Sequence, residues 1–135
     1  MNELVIFRLA IAAGIIVAAI AAYRLLDRWM ISRASGRAAD VLPGMPQKPV
    51  LVYFTTPTCA PCKTVQGPAI EQVRGQLGEG FQVIEVDAAA RPEVARRWGV
   101  LSVPTTFVLD ARGRARFVNN GIARADKLLR QIQAV

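Results

Sequence analysis

The sequence predicts an α/β fold: about four short strands in one mixed sheet, helices on both faces, and one membrane-spanning helix ahead of them. Three observations lead there. Leu4–Tyr23 is a 20-residue apolar run interrupted only by Arg8. After Pro49, short β-like runs alternate with helix-like segments, the order expected of a sheet covered by helices. The last two strand-like runs are joined by the glycine-bearing turn Asp110–Arg114, which marks a hairpin.

The apolar run comes first. At about 1.5 Å per residue it reaches roughly 30 Å, the thickness of a bilayer core. Arg8 lies near one end, where a long side chain can reach the headgroups. Three readings compete for this segment. A transmembrane anchor is preferred. A cleaved signal peptide has support in the small-x-small Ala19-Ile20-Ala21, but Arg24, Arg28, Arg33 and Arg37 follow the apolar run directly and resist translocation. A buried core helix would have to be enclosed on every side, and so small a domain has no room for that. The same four arginines, against Arg8 and the amino terminus before the span, place the C-terminal domain on the cytoplasmic side by the positive-inside tendency. An extracytoplasmic domain stays open as the alternative.

Residues 1–37 are thus expected to form the anchor and a basic juxtamembrane helix, its arginines serving topology and attraction to anionic lipid. Residues 38–48 read as a linker, because three prolines and a glycine fall within Val41–Pro49. Residues 49–135 form the folded domain. Val50–Thr55 (VLVYFT) is a strand buried on both faces. Cys59–Leu77 reads as a helix with Val65, Ile70, Val73 and Leu77 inward and a kink at Gly67-Pro68. Phe81–Val86 is the second strand and Arg91–Trp98 a short helix closed by Gly99. Thr105–Leu109 and Ala115–Val118 are the hairpin strands, and Ala123–Gln133 is an amphipathic helix with Leu128, Leu129 and Ile132 inward. Strands separated by helices are expected to be parallel, and the last pair antiparallel.

The chemistry is narrowed by composition. The chain has two cysteines, Cys59 and Cys62, and no histidine. A zinc site wants about four ligands, and the pair supplies half, so no metal and no other cofactor is expected. A purely structural disulfide here would close a tiny loop and constrain the unfolded chain little. Reversible dithiol/disulfide exchange needs only what is present. Net charge is +7, but residues 38–135 hold 12 basic and 8 acidic residues, a balance of +4. Arg112, Arg114 and Arg116 cluster at the hairpin without interleaved aromatics. They read as a solvated, lipid-adjacent face, and no nucleic-acid partner is expected.

Two separated motifs carry a resemblance. TTPTCAPCKTVQGPA has a proline before the second cysteine and Lys63 after it, and GVLSVPTTFVLD places Val103-Pro104-Thr105 45 residues beyond Cys59. Together they make Pro49–Gln133 resemble the thioredoxin family. The resemblance implies a thioredoxin-like fold, a cis bond at Pro104 and a thiol–disulfide oxidoreductase. A cysteine at a helix N-terminus faces unpaired N–H groups and the positive dipole end, which favour thiolate. Cys59 is therefore the expected nucleophile, exposed at the helix mouth, and Cys62, one turn further in, the resolving thiol. Ala60, Pro61, Val103, Pro104 and Thr105 are expected to bind substrate, with Val103 offering its backbone to an extended peptide. The implied partners are proteins bearing disulfides or thiols, an upstream thiol reductant or oxidant, and the lipid bilayer through the N-terminal helix. The alternative is a membrane-anchored binding or scaffold module that kept the fold without redox turnover.

The departures from the family pattern are informative too. Tyr53 stands where thioredoxins have a buried acid, which leaves the proton acceptor for Cys62 unassigned among water and Glu85. Thr58 replaces the usual tryptophan, and Ala60-Pro61 the usual Gly-Pro.

Overall fold

The computed structural model describes residues 2–135. Its elements are α1 (Asn2–Ser35), a 3-10 turn at Ala38–Asp40, β1 (Val50–Thr55), a π-helical turn at Cys62–Gln66 running into α2 (Gly67–Leu77), β2 (Gln82–Asp87), α3 (Pro92–Arg97), β3 (Thr105–Leu109), β4 (Ala115–Asn120) and α4 (Ala125–Gln133). The sheet order is β2-β1-β3-β4. β1 is central and all six of its residues are buried, as a continuous apolar run requires.

Alternation along β1 divides the core in two. Val50, Val52 and Phe54 face α3 and the end of α1, where Phe54, Trp98 and Phe107 meet with ring centroids 5.0–5.8 Å apart. Leu51 and Tyr53 face α2 and α4, packing with Ile70, Val73, Leu128 and Ile132. Each fully buried large side chain contributes roughly 1.5–3 kcal/mol, so this two-sided burial dominates the stability of the sheet.

β1 pairs with β2 in parallel and β3 with β4 antiparallel, as expected. β3, however, runs antiparallel to β1, which corrects the expectation that every helix-separated strand would be parallel. The reason is the brevity of the connection. Six-residue α3 rises only about 9 Å, and Gly99, at φ +74°, then reverses the chain. Residues 100–104 bring it back to the end of the sheet it had just left.

Val65 is a second correction. It is 44% exposed, whereas Gln66 is fully buried. The wider π turn delays the helix by part of a residue, so the inward stripe runs Cys62, Gln66, Ile70, Val73. The cause lies in Gly67-Pro68. Pro68 has no N–H to donate, and the Gly67 N–H reaches back five residues to the Cys62 carbonyl. A Cβ on Gly67 would sit 3.1 Å from that oxygen, so glycine permits the close approach.

α1 is one uninterrupted 34-residue helix. Its most apolar 18-residue window has mean hydropathy 2.6 and is not buried anywhere, so it is long and apolar enough to cross a membrane. Its last turns behave differently. Met30 and Ala34 are fully buried, and Leu26 and Ile31 pack on the same core. Leu26, Met30 and Ala34 recur at i, i+4, i+8, the spacing of one helix face. The packed core therefore takes in residues well upstream of Pro49, Leu42 among them.

The hairpin turn is held by Asp110, whose Oδ1 accepts the N–H groups of Arg112 and Arg114 at 2.9 and 3.0 Å. Burial pushes its carboxyl up, but those donors and the Arg114 guanidinium outweigh burial and hold it below the usual carboxylate range.

Candidate active site

β1 delivers the chain to a turn at Thr56–Thr58, where the Thr56 carbonyl accepts the Cys59 N–H at 3.2 Å. The helical turns begin there. Cys59 and Cys62 are joined as a disulfide with Cα atoms 5.3 Å apart. The Cys62 N–H points at Cys59 Sγ, 3.3 Å away. That is the donor geometry that stabilises a thiolate at position 59 once the bond is reduced. Accessibility separates the two cysteines less than expected: Cys59 is 8% exposed and Cys62 2%. Cys59 is the more accessible of the two, without lying open to solvent. Ala60 and Pro61, between them, are exposed.

Facing the pair is the segment before β3. The Val103–Pro104 peptide bond is cis. Val103 packs against the apolar cluster that contains both cysteines. Among the described residues its N–H and C=O take no backbone partner, whereas the Pro104 carbonyl accepts the Gly121 N–H at 2.9 Å. Thr105 is fully buried, and its hydroxyl donates to the Ser102 carbonyl at 2.7 Å. It holds the loop rather than presenting a surface. A shallow groove of about 330 Å³ lies between the start of α3 and the segment before β3, with Thr56, Ala88, Leu101 and Val103 in its walls.

A family model described as Thioredoxin matches residues 39–134. The chain belongs to the thioredoxin family. It is 36% identical over 95 residues to a thioredoxin-like protein of Synechocystis, an alignment covering 70% of this chain and 88% of that one. It is 35% identical over 99 residues to the thioredoxin of Mycobacterium tuberculosis, covering 73% and 81% respectively. Among solved structures, chloroplastic thioredoxin z shares the fold with a TM-score of 0.62 at 21% identity, over 75% of this chain and 92% of the other. Thiol–disulfide oxidoreduction is accordingly the chemistry of this chain, which holds the Cys59–Cys62 disulfide.

The interior beneath the disulfide holds Tyr53 where the resemblance implies a buried acid. The Tyr53 hydroxyl donates to the Cys62 carbonyl at 3.2 Å. Burial pushes the Tyr53 phenol up, the Thr55 hydroxyl opposes that rise, and the charge of Glu85 adds to it. A phenol held neutral in this way donates a hydrogen bond and does not accept the Cys62 proton. A cavity of about 300 Å³ opens beside it, lined by Tyr53, Cys62, Lys63, Glu85 and Asp87. Asp87 is engaged, since its Oδ1 accepts the N–H groups of Ala89 and Ala90 at 2.8 and 3.2 Å. Glu85, the register partner of Tyr53 across β1 and β2, is exposed.

Sequence reasoning missed Gln66. Its Nε2 donates to the Ala123 carbonyl at 3.0 Å and its Oε1 accepts the Ala123 N–H at 2.8 Å. This two-bond clamp ties the turn carrying Cys62 to the entry of α4. The only local signal was a glutamine four residues after Cys62 on the inward face. Gln66→Leu leaves two buried backbone groups unpaired, at about 1–3 kcal/mol each. Urea unfolding should therefore show a loss of about 2–6 kcal/mol with an unchanged m-value.

Proposed function

We propose that this chain is a membrane-tethered protein-disulfide reductase in which Cys59 is the nucleophile and Cys62 the resolving thiol. The observation that carries the assignment is the Cys62 N–H aimed at Cys59 Sγ at the start of a helix. In the reduced protein, the Cys59 thiolate attacks one sulfur of a substrate disulfide. A mixed disulfide forms, and the substrate's other sulfur leaves as a thiolate that takes up a proton. Cys62 then loses its proton and attacks Cys59 Sγ, which releases the second substrate thiol and closes the Cys59–Cys62 bond. Two electrons have passed to the substrate, and an upstream dithiol returns them. The unpartnered Val103 backbone receives the substrate as a short added strand, with Ala60, Pro61 and Pro104 shaping the surface around it. The apolar part of α1 anchors the domain, and the arginines after it favour the cytoplasmic side.

Limiting iodoacetamide at pH 7 tests the assignment of the nucleophile. The label should fall on Cys59 several-fold faster than on Cys62, and equal labelling would defeat the assignment.

Glu85 is the carboxylate best placed to take the Cys62 proton, through water in the cavity they share. Replacing it with glutamine removes the acceptor and leaves Cys59 untouched. General base assistance contributes roughly 10²–10⁴-fold where contact is direct, and a relayed transfer less. Glu85→Gln should slow release of reduced product about tenfold near pH 6–7 in stopped-flow assays, with the attack step unchanged. The deficit should shrink as pH rises toward about 8.5, where a thiol ionises unaided. A uniform deficit across pH would remove Glu85 from this role.

A further inference from the structure

We infer that the disulfide end of the sheet faces the bilayer at close range, so that the substrate is a cysteine pair carried at the membrane surface by an integral membrane protein. The inference rests on the tethered-reductase reading and goes beyond it by fixing the direction in which the active site points.

The direction comes from strand register and two hydrogen bonds. β1 runs toward Cys59, so its last residues mark the disulfide end. Phe54 pairs with Thr105, and Thr105 with Asn120, which puts Asn120 at that same end. Val50 pairs with Leu109, and Leu109 with Ala115, which puts Ala115 at the opposite end. α1 touches both. The Asn120 amide donates to Asp27 Oδ1 at 3.1 Å, and the Ser35 hydroxyl donates to the Ala115 carbonyl at 3.3 Å. From residue 27 to residue 35, α1 therefore descends from the disulfide end to the far end. The eight steps rise about 12 Å, comparable with the roughly 17 Å of β4, so the helix lies broadly along the strand.

This seat is firm. Met30 and Ala34 are fully buried beneath it. Arg33 lies over the Trp29 ring at 4.7 Å and donates from Nε to the Arg97 carbonyl at 3.2 Å. The helix continues without a break into the apolar span. Everything before Asp27 must then leave the domain from the disulfide end. Only four residue steps, about 6 Å of helix, separate Asp27 from Tyr23, the end of the apolar run. The anchor is a rigid strut that holds Cys59 on the order of 10 Å from the headgroups. A flexible leash would leave the site free to turn outward.

The two ends of the domain are finished accordingly. Leu101 and Ile122, at the disulfide end, are 79% and 47% exposed. The arginine-rich hairpin lies at the far end, so those charges face away from the bilayer instead of toward it. A bulky soluble protein does not fit a gap of that height, whereas a cysteine loop at the end of a membrane span does. The exchange itself is the two-step reaction already given, with the same electron balance.

The test uses the full chain, reduced, in phosphatidylcholine–phosphatidylglycerol vesicles together with one of two single-span peptides. One peptide carries a small disulfide loop directly after its apolar span. The other carries the same loop on a helical stalk about 30 Å high. Both are membrane-bound, so only height differs. The near loop should be reduced at least tenfold faster. Equal rates, preference for the stalked loop, or no reaction with either while a small soluble disulfide is reduced would each overturn the inference and leave the reductase reading intact. Failure to reduce any disulfide would sink that reading, and failure to float with the vesicles would sink the tether, the inference falling with either. A second readout is independent of activity. Gadolinium-chelating lipid should broaden the amide signals of Leu101 and Ile122 more than those of Arg112 and Gly113, and the reverse order would overturn the inference.

Discussion

Replacing Cys59 with serine is expected to abolish disulfide reduction, lowering the rate at least about a thousandfold, the order of loss seen when a covalent nucleophile is removed. Serine keeps the shape and the hydrogen bond from the Cys62 N–H, but an alkoxide is not formed near neutral pH and cannot exchange with sulfur. Cys62→Ser should behave differently. Attack through Cys59 survives, resolution does not, and the substrate stays attached. Insulin reduction measures the first effect. A non-reducing mass measurement of the trapped adduct measures the second. If Cys62→Ser lost attack as completely as Cys59→Ser, the two cysteines would not hold the separate roles proposed for them.

Gly99→Ala should destabilise the protein by about 2–5 kcal/mol. At φ +74° an alanine is strained by about 1–2 kcal/mol. Its Cβ would also stand 2.9 Å from Cζ3 of Trp29 and 3.6 Å from Cγ of Met30, and overpacking of that kind costs about 1–3 kcal/mol. Because the clash falls on α1, the variant should loosen the seat of the helix as well as lower global stability. Gly99→Ala in a Trp29→Ala background separates the two terms. The backbone strain persists and the ring clash is gone, so the penalty should fall by about half in urea titrations. An unchanged penalty would show that Trp29 does not bear on Gly99, and would weaken the case for a rigidly seated α1.

Much of this molecule is written locally. The apolar run VLVYFT marks β1 because a strand buried on both faces has no polar alternation to show. The periodicity of residues 123–133 places Leu128 and Ile132 inward within one helix. The redox pair and the Val-Pro-Thr segment are short motifs, and family membership and the cis bond at Pro104 follow from them. Local pattern misleads where a small irregularity changes phase. A plain α-helical wheel puts Val65 inside, and the π turn brought on by Gly67-Pro68 puts Gln66 there instead.

By itself, then, the sequence determined the strand and helix menu, the thiol–disulfide chemistry and the apolar span. These depend on residues close together in the chain, whose spacing is the signal. The tertiary structure alone decided that β3 runs against β1, that Gln66 grips Ala123 57 residues away, and that Tyr53 caps the Cys62 carbonyl. It also seated the end of α1 through Asp27 and Asn120, 93 residues apart. No periodicity encodes such partners, because each is chosen by which surfaces remain unburied once the sheet has closed. The direction in which the disulfide points belongs to this second group, since it follows from a helix and a strand that meet only in the folded chain.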